Sequence, residues 1–179
     1  IDLAPKPEER KKAIAGLGEV RDPRVPDLLK TFLADEALKE EAQKALDAFS
    51  TIGFKVFGSV NQDNAKNAID GNPATRWDTG APMKGGEHFI ADMGWEKAVK
   101  KVVLDARGSN GDYPRGYELY VSNDPNQWGD PVATGKGDGP VTEIALDKPV
   151  KGAFIKVLQT GQSDGLYWSI HELTIETAD

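Results

Sequence analysis

The sequence predicts a mainly β protein, a two-sheet sandwich or jelly roll of seven or eight short strands, preceded by a small all-α segment. Two observations carry that prediction. The hydrophobic period changes near residue 51, from helical spacing to short alternating runs. Turn clusters such as Asn123-Asp124-Pro125-Asn126 and Gly135-Lys136-Gly137-Asp138-Gly139-Pro140 then punctuate those runs, with no helical segment between them.

Residues 1–50 form the predicted helical segment and 51–179 the β unit. In the first, Ala13, Ile14 and Leu17 share a helix face, as do Leu28, Leu29, Phe32 and Leu33, and then Leu38, Ala42, Ala45, Leu46 and Phe49. Asp22-Pro23 separates the first helix from the second, and Asp35 is placed to cap the third. The pattern Lys12-Ala13-Ile14 with Leu17 returns as Lys44-Ala45-Leu46 with Phe49, and a repeat of this length marks helical-hairpin solenoids. The segment resembles HEAT-type repeats, over about one and a half units; a small three-helix cap is the alternative reading.

In the β unit the strand-like runs are Phe54–Phe57, His88–Asp92, Val99–Leu104, Tyr117–Val121, Thr142–Leu146, Ala153–Leu158 and Ile170–Ile175. Several alternate, as Tyr117, Leu119 and Val121 do against Glu118, Tyr120 and Ser122, which is the signature of a half-buried strand.

Composition removes whole classes of function. A formal net charge of -7 opposes phosphate-backbone binding, so no nucleic-acid partner is expected. Lys97, Lys100 and Lys101 are the one dense basic patch, read as a solvated strand or turn. With no cysteine there is no thiolate chemistry and no disulfide framework, and two histidines, His88 and His171, are too few for a multi-histidine metal centre. No run of about 18 apolar residues is present to span a bilayer. The chain opens on Ile1 rather than Met, which reads as a processed or excised product.

The stretch AIDGNPATRW, Ala68 to Trp77, admits two readings: a tight Asx turn, or a loop that wraps oxygens around a hard cation. Gly71 permits the sharp turn after Asp70, Pro73 stiffens the loop and keeps Asn72 out of the helical region, and Thr75 offers a carbonyl and a hydroxyl.

AIDGNPATRWDT, GYELYVSNDPNQWGDPVATG, FIKVL and YWSIHELTI occur in order across most of residues 58–176. Together they resemble the discoidin family, also called coagulation factor V/VIII type C domains, and the related family thirty-two carbohydrate-binding modules. The resemblance implies an eight-stranded discoidin-like β-sandwich with ligand-binding loops at one end. It also implies a structural calcium held by the Asp70 carboxylate, the carbonyls of Asn67 and Asn72, Thr75 through carbonyl and hydroxyl, the His171 carbonyl and the Glu172 side chain. Trp77, and with it Trp128, would pack in the core.

Three loops would carry a glycan site in such a family. The first gives Asp78 and Thr79; the second gives Arg107, Asn110, Asp112, Tyr113 and Arg115; the third gives Gln162, Asp164, Tyr167 and Trp168. Arg107, Asn110 and Tyr167 match the galactose-binding members best, whereas Asp78 stands where several of them carry His. A loop-bracing salt bridge is the alternative for Arg107, and loop packing for Tyr113 and Trp168.

Gly161-Gln162-Ser163-Asp164-Gly165 fits a nucleophile elbow in spelling only, because a β-rich tail rather than a helix follows it. GKGDGP lacks the Lys-Ser/Thr of a phosphate loop. The expected function is therefore a non-catalytic carbohydrate-binding accessory module, with a glycan, galactose-type in the nearest analogy, and the rest of a larger parent protein as partners. An extracellular or periplasmic, bacterial setting goes with it. The alternative is a protein–protein adhesion or scaffolding unit. Membrane binding is not expected, since apolar loop tips ringed by basic residues are missing from the sequence.

Overall fold

The computed structural model describes residues 6–20, 22, 24–51 and 54–178. Two compact units divide between Phe54 and Lys55. Pro23 of the expected helix break, and Ile52 and Gly53 of the link between the units, lie outside the described residues.

Among its described residues the first unit holds three α-helices, α1 (Pro7–Leu17), α2 (Val25–Thr31) and α3 (Lys39–Thr51). Pro7 opens α1 at the position where a missing N–H costs nothing, and Glu9 reaches back to the backbone N–H of Lys6 at 3.0 Å. Asp35 does act as a cap. Its carboxylate accepts the Ala37 N–H at 2.9 Å, and its carbonyl accepts those of Leu38 and Lys39. The core is Ile14, Val25, Leu29, Leu38, Ala42, Ala45 and Phe49. Gly18 lets α1 end directly on α3, because a Cβ there would lie 2.8 Å from the Ala45 carbonyl oxygen. Leu28 departs from the sequence expectation. It is 45% exposed, since in the short α2 only Val25 and Leu29, one turn apart, face inward.

The second unit has eight strands: β1 (Lys55–Gly58), β2 (Trp77–Asp78), β3 (His88–Asp105), β4 (Tyr117–Ser122), β5 (Ala133–Gly135), β6 (Val141–Gln159), β7 (Ser169–Ile170) and β8 (Glu172–Ala178). Two pairs of runs that the sequence separates are single long strands. The runs 88–92 and 99–104 are both β3, and 142–146 and 153–158 are both β6. Their register shifts between Asp92 and Lys97 and again between Val99 and Lys101. Such bulges bend a strand and raise its twist, so one strand serves both layers of a sandwich. The first half of β3 pairs with β1 and with the 154–158 end of β6, which in turn pairs with β4. The second half pairs with β8 and with residues 141–145 of β6. Every named pairing is antiparallel.

Alternation then sets the core. Phe89, Ala91, Val102, Leu104, Leu119, Ile144, Ile155 and Val157 point inward. The small pair β2 with β7 carries Trp77 opposite Ile170. Trp77 is fully buried, as its motif predicts, and meets Phe89 at 4.8 Å between ring centroids and Trp168 edge-on at 5.0 Å. Its indole N–H donates to the Val60 carbonyl at 2.8 Å, so the polar handle of the ring is satisfied inside. Trp128 is only half-buried, set edge-on to Tyr120 on the other side of β4, with the Lys156 ammonium over both rings.

Candidate functional site: an acidic cup and three loops

The 70–75 loop is built as its spelling suggests. A 3-10 segment, Gln62–Ile69, ends at Asp70, and Gly71 follows at φ +73°, the left-handed region that glycine enters without strain. The Asp70 carboxylate accepts the Asn72 N–H and the Thr75 hydroxyl, each at 2.8 Å. Asn72 accepts from Ala74 through its side chain and from Thr75 through its carbonyl. Asn67 ties the loop to its far end, its amide donating to the Arg76 carbonyl at 3.1 Å.

Glu172, at the start of β8, faces this loop. One of its carboxylate oxygens is buried and has no hydrogen-bond partner. Burial first, then the charges of Asp70 and Asp105, push its carboxyl above the ordinary carboxylate range, while a backbone hydrogen bond from Gly71 acts the other way. Two carboxylates, a threonine and nearby backbone carbonyls are oxygen donors of the kind a hard divalent cation takes. The orphaned Glu172 oxygen fits that use, because an unpaired buried carboxylate costs free energy that a cation would recover. Asp70 and Thr75 as described could turn their remaining lone pairs to the same ion. His171 contributes more than its main chain. Its buried ring meets the Pro73 carbonyl at 2.8 Å and the Ser109 hydroxyl at 3.1 Å.

The loops proposed for sugar are internally braced. Arg107 is exposed, and its guanidinium grips the Asp105 carboxylate from two nitrogens, with Nε at 2.8 Å from Oδ2. That contact is the main cause holding the Asp105 carboxyl below its ordinary range. Asp78 accepts from Arg76 Nε at 2.8 Å and from the Gly80 N–H at 2.9 Å. Asp112 is fixed to β7, accepting the Ser169 hydroxyl at 2.8 Å. The Arg115 guanidinium lies 3.7 Å from the Tyr113 ring centroid and donates to the carbonyls of Gly111 and Tyr113. Asn110 is exposed and Tyr167 half-buried.

Trp168 requires a correction. Expected among the sugar contacts, it is fully buried against Trp77, and its N–H donates to the Thr79 hydroxyl in backbone form at 3.1 Å. Tyr167 stays half-buried at the edge of the loop, while the four residues that follow it, Trp168 to His171, are all buried.

Leu166 was not signalled by the sequence. It is 38% exposed, its carbonyl accepts the Met83 N–H at 3.0 Å, and a Cβ on Gly111 would come within 3.1 Å of it. The loops 81–84, 107–115 and 160–168 therefore meet at this residue, the first through its carbonyl and the second beside its side chain. Beside it lies an open depression of about 550 Å³ lined by Pro82, Met83, Lys84, Gln162 and Asp164 among others. Lys84 was also missed, and the only sequence signal for that loop is Gly85-Gly86, both at positive φ.

The F5/8 type C domain model matches residues 49–173. Solved structures of similar fold include the family 32 module of AlyQ in complex with 4,5-unsaturated mannuronic acid, at 26% identity and a TM-score of 0.58, covering 69% of this chain and 95% of that one. The family 32 module of NanJ from Clostridium perfringens, in complex with galactose, aligns at 22% identity and a TM-score of 0.58, covering 68% of this chain and 92% of that one. Chitosan-binding module 2 of a Paenibacillus sp. IK-5 chitosanase/glucanase, in complex with chitotriose, aligns at 24% identity and a TM-score of 0.56, covering 69% of this chain and 94% of that one. A search of curated proteins returns no match. With the family model spanning well over half its length, the chain belongs to the F5/8 type C (discoidin-like) domain family.

Proposed function

We propose that the β unit is a non-catalytic carbohydrate-binding module of a larger secreted protein, with calcium holding the 70–75 loop against Glu172. The observation that carries the sugar reading is the meeting of three loops at exposed Leu166, which precedes the half-buried Tyr167, beside a depression lined by the polar groups Lys84, Gln162 and Asp164. An apolar spot ringed by planar or charged polar groups suits the C–H face and hydroxyls of a pyranose. Neighbours of the same fold in complex with galactose, chitotriose and an unsaturated mannuronic acid support the class of ligand, not the choice within it.

Calorimetry with a monosaccharide panel that includes galactose, in calcium and in chelator, tests the reading. Millimolar or tighter binding that weakens at least tenfold in Tyr167→Ala and in Leu166→Asp is expected. Silence across the panel overturns the sugar assignment, and an unchanged melting temperature in calcium overturns the cation.

A protein-scaffolding role has one observation in its favour, within the helical unit. Val20 and Leu28, 44% and 45% exposed, lie with Leu17 and Val25 along a depression of about 420 Å³. A solenoid neighbour of HEAT type would cover such a face, and loss of pull-down with the parent protein in Leu28→Glu is the outcome that supports it.

A further inference from the structure

The acidic cup and the Asp78 turn are joined by one uninterrupted chain of hydrogen bonds. His171 Nδ1 lies 2.8 Å from the Pro73 carbonyl oxygen. A carbonyl only accepts, so Nδ1 carries the proton. In the neutral ring Nε2 is then an acceptor, and it takes the Ser109 hydroxyl hydrogen at 3.1 Å. The Ser109 oxygen is left to accept, and Arg76 Nη1 donates to it. The same guanidinium donates through Nε to Asp78 Oδ2 at 2.8 Å, while Asp78 Oδ1 accepts the Gly80 N–H at 2.9 Å. With the ring in this tautomer every link has a donor and an acceptor, so the chain is continuous from Pro73 to Gly80.

The chain is also clamped sterically. Gly108 sits at φ +107°, and a Cβ on it would lie 2.9 Å from His171 Cε1, so the backbone of the 107–110 turn presses directly on the ring. His171 is anchored from behind by its own N–H, which donates to the Asp105 carbonyl at 2.7 Å. At the cup end, the Pro73 carbonyl is one peptide away from the Asn72 carbonyl, one of the groups assigned to the cation. A cation held by the Asn72 carbonyl would constrain that peptide and, one peptide on, the Pro73 carbonyl that the His171 ring meets.

We propose that His171 and Ser109 are positioning residues that transmit cation occupancy at the 70–75 cup to the Asp78–Gly80 turn, one of the loops assigned to sugar. This rests on the cation reading above and reaches beyond it, because it makes calcium a determinant of binding-loop geometry as well as of stability. The coupling is a two-way free energy, so a group that fixes the Asp78 turn tightens the cup in return.

The test is a calcium titration of the full chain followed by amide NMR, with the ring nitrogens of His171 read in the same samples. In the unmodified protein calcium is expected to shift Asn72 and Thr75, and with them Ser109 and Gly80, while His171 shows the Nδ1-protonated neutral tautomer. Ser109→Ala should keep the Asn72 and Thr75 shifts and lose at least most of the Gly80 shift. Ser109→Thr, which restores the hydroxyl, should recover it, a rescue that a purely structural role does not require. Gly80 shifts that persist in Ser109→Ala, or an Nε2-protonated neutral His171, overturn the relay while leaving the cation reading intact. A titration that moves neither Asn72 nor Thr75 removes the cation reading and the relay with it.

Discussion

The acidic cup and the 105–115 loop are close neighbours through Ser109 and His171, yet they treat their polar groups in opposite ways. Around the cup, Glu172 keeps a buried oxygen with no partner. Along the loop, Asp105, Asp112 and Arg115 each have a protein partner already. An unmet buried acceptor marks a place that is incomplete without something else, whereas a fully bonded loop is complete in itself and binds through what it leaves exposed. Burial likewise separates Tyr167, half-buried, from Trp168, sealed in the core one residue later.

The largest way to sharpen that contrast is Trp168→Ala. Removing a fully buried indole from between Trp77 and its neighbours should cost about 3–5 kcal/mol in urea unfolding, with Tyr167→Ala costing far less. Equal losses would mean that both side chains belong to the core.

Glu172→Gln comes next, and its sign depends on calcium. In chelator the variant should be as stable as the parent or more so, because a carboxyl that burial, Asp70 and Asp105 all push upward is no longer asked to ionise. In calcium the parent should gain about 2.7 kcal/mol at a hundredfold excess over the dissociation constant, and the variant little. Melting temperatures in the two buffers give both halves of the comparison.

Asp112→Ala strands the Ser169 hydroxyl, itself 1% exposed, and should cost about 1–3 kcal/mol in denaturant unfolding with the calcium response unchanged.

Arg107→Ala is the mildest. Its side chain is 71% exposed, so solvent screens the pair with Asp105 and its loss should lower stability only slightly at pH 7. The Asp105 carboxyl is lowered in the fold, so that stabilisation is fully present above the ordinary carboxylate range and is lost as pH falls through the folded value. The gap in melting temperature between parent and variant should therefore close toward acid pH.

Much of this was legible in the sequence because it rests on local rules. Asp70, Gly71, Asn72 and Thr75 form their turn from short-range geometry, and Trp77 announces the core by following it. Alternation placed the longer strands by region, but it missed the short β2 and β5 and ran the end of β7 into β8. It could not show that His88–Asp92 and Val99–Leu104 are one strand, since a bulge has no spelling of its own. Trp168 and Leu166 were misjudged or missed for a related reason. Which apolar residue of this loop is buried is set by what packs on it, Trp77 against Trp168 and Gly111 beside Leu166, and those partners are remote in sequence.

One consequence of the bulged β3 concerns topology. Both β1 and β8 pair along it, with Lys55 opposite Asp92 and Ala178 opposite Ala98. The first and last strands of the β unit thus run end to end on one strand, separated by six residue steps of β3, about 20 Å of extended chain. A short engineered loop could join them, and the unit should tolerate circular permutation with new ends opened in the exposed Asn123–Gln127 turn. The same arrangement lets the sandwich be spliced into a surface loop of another protein as a side branch, leaving the host's backbone path almost undisturbed.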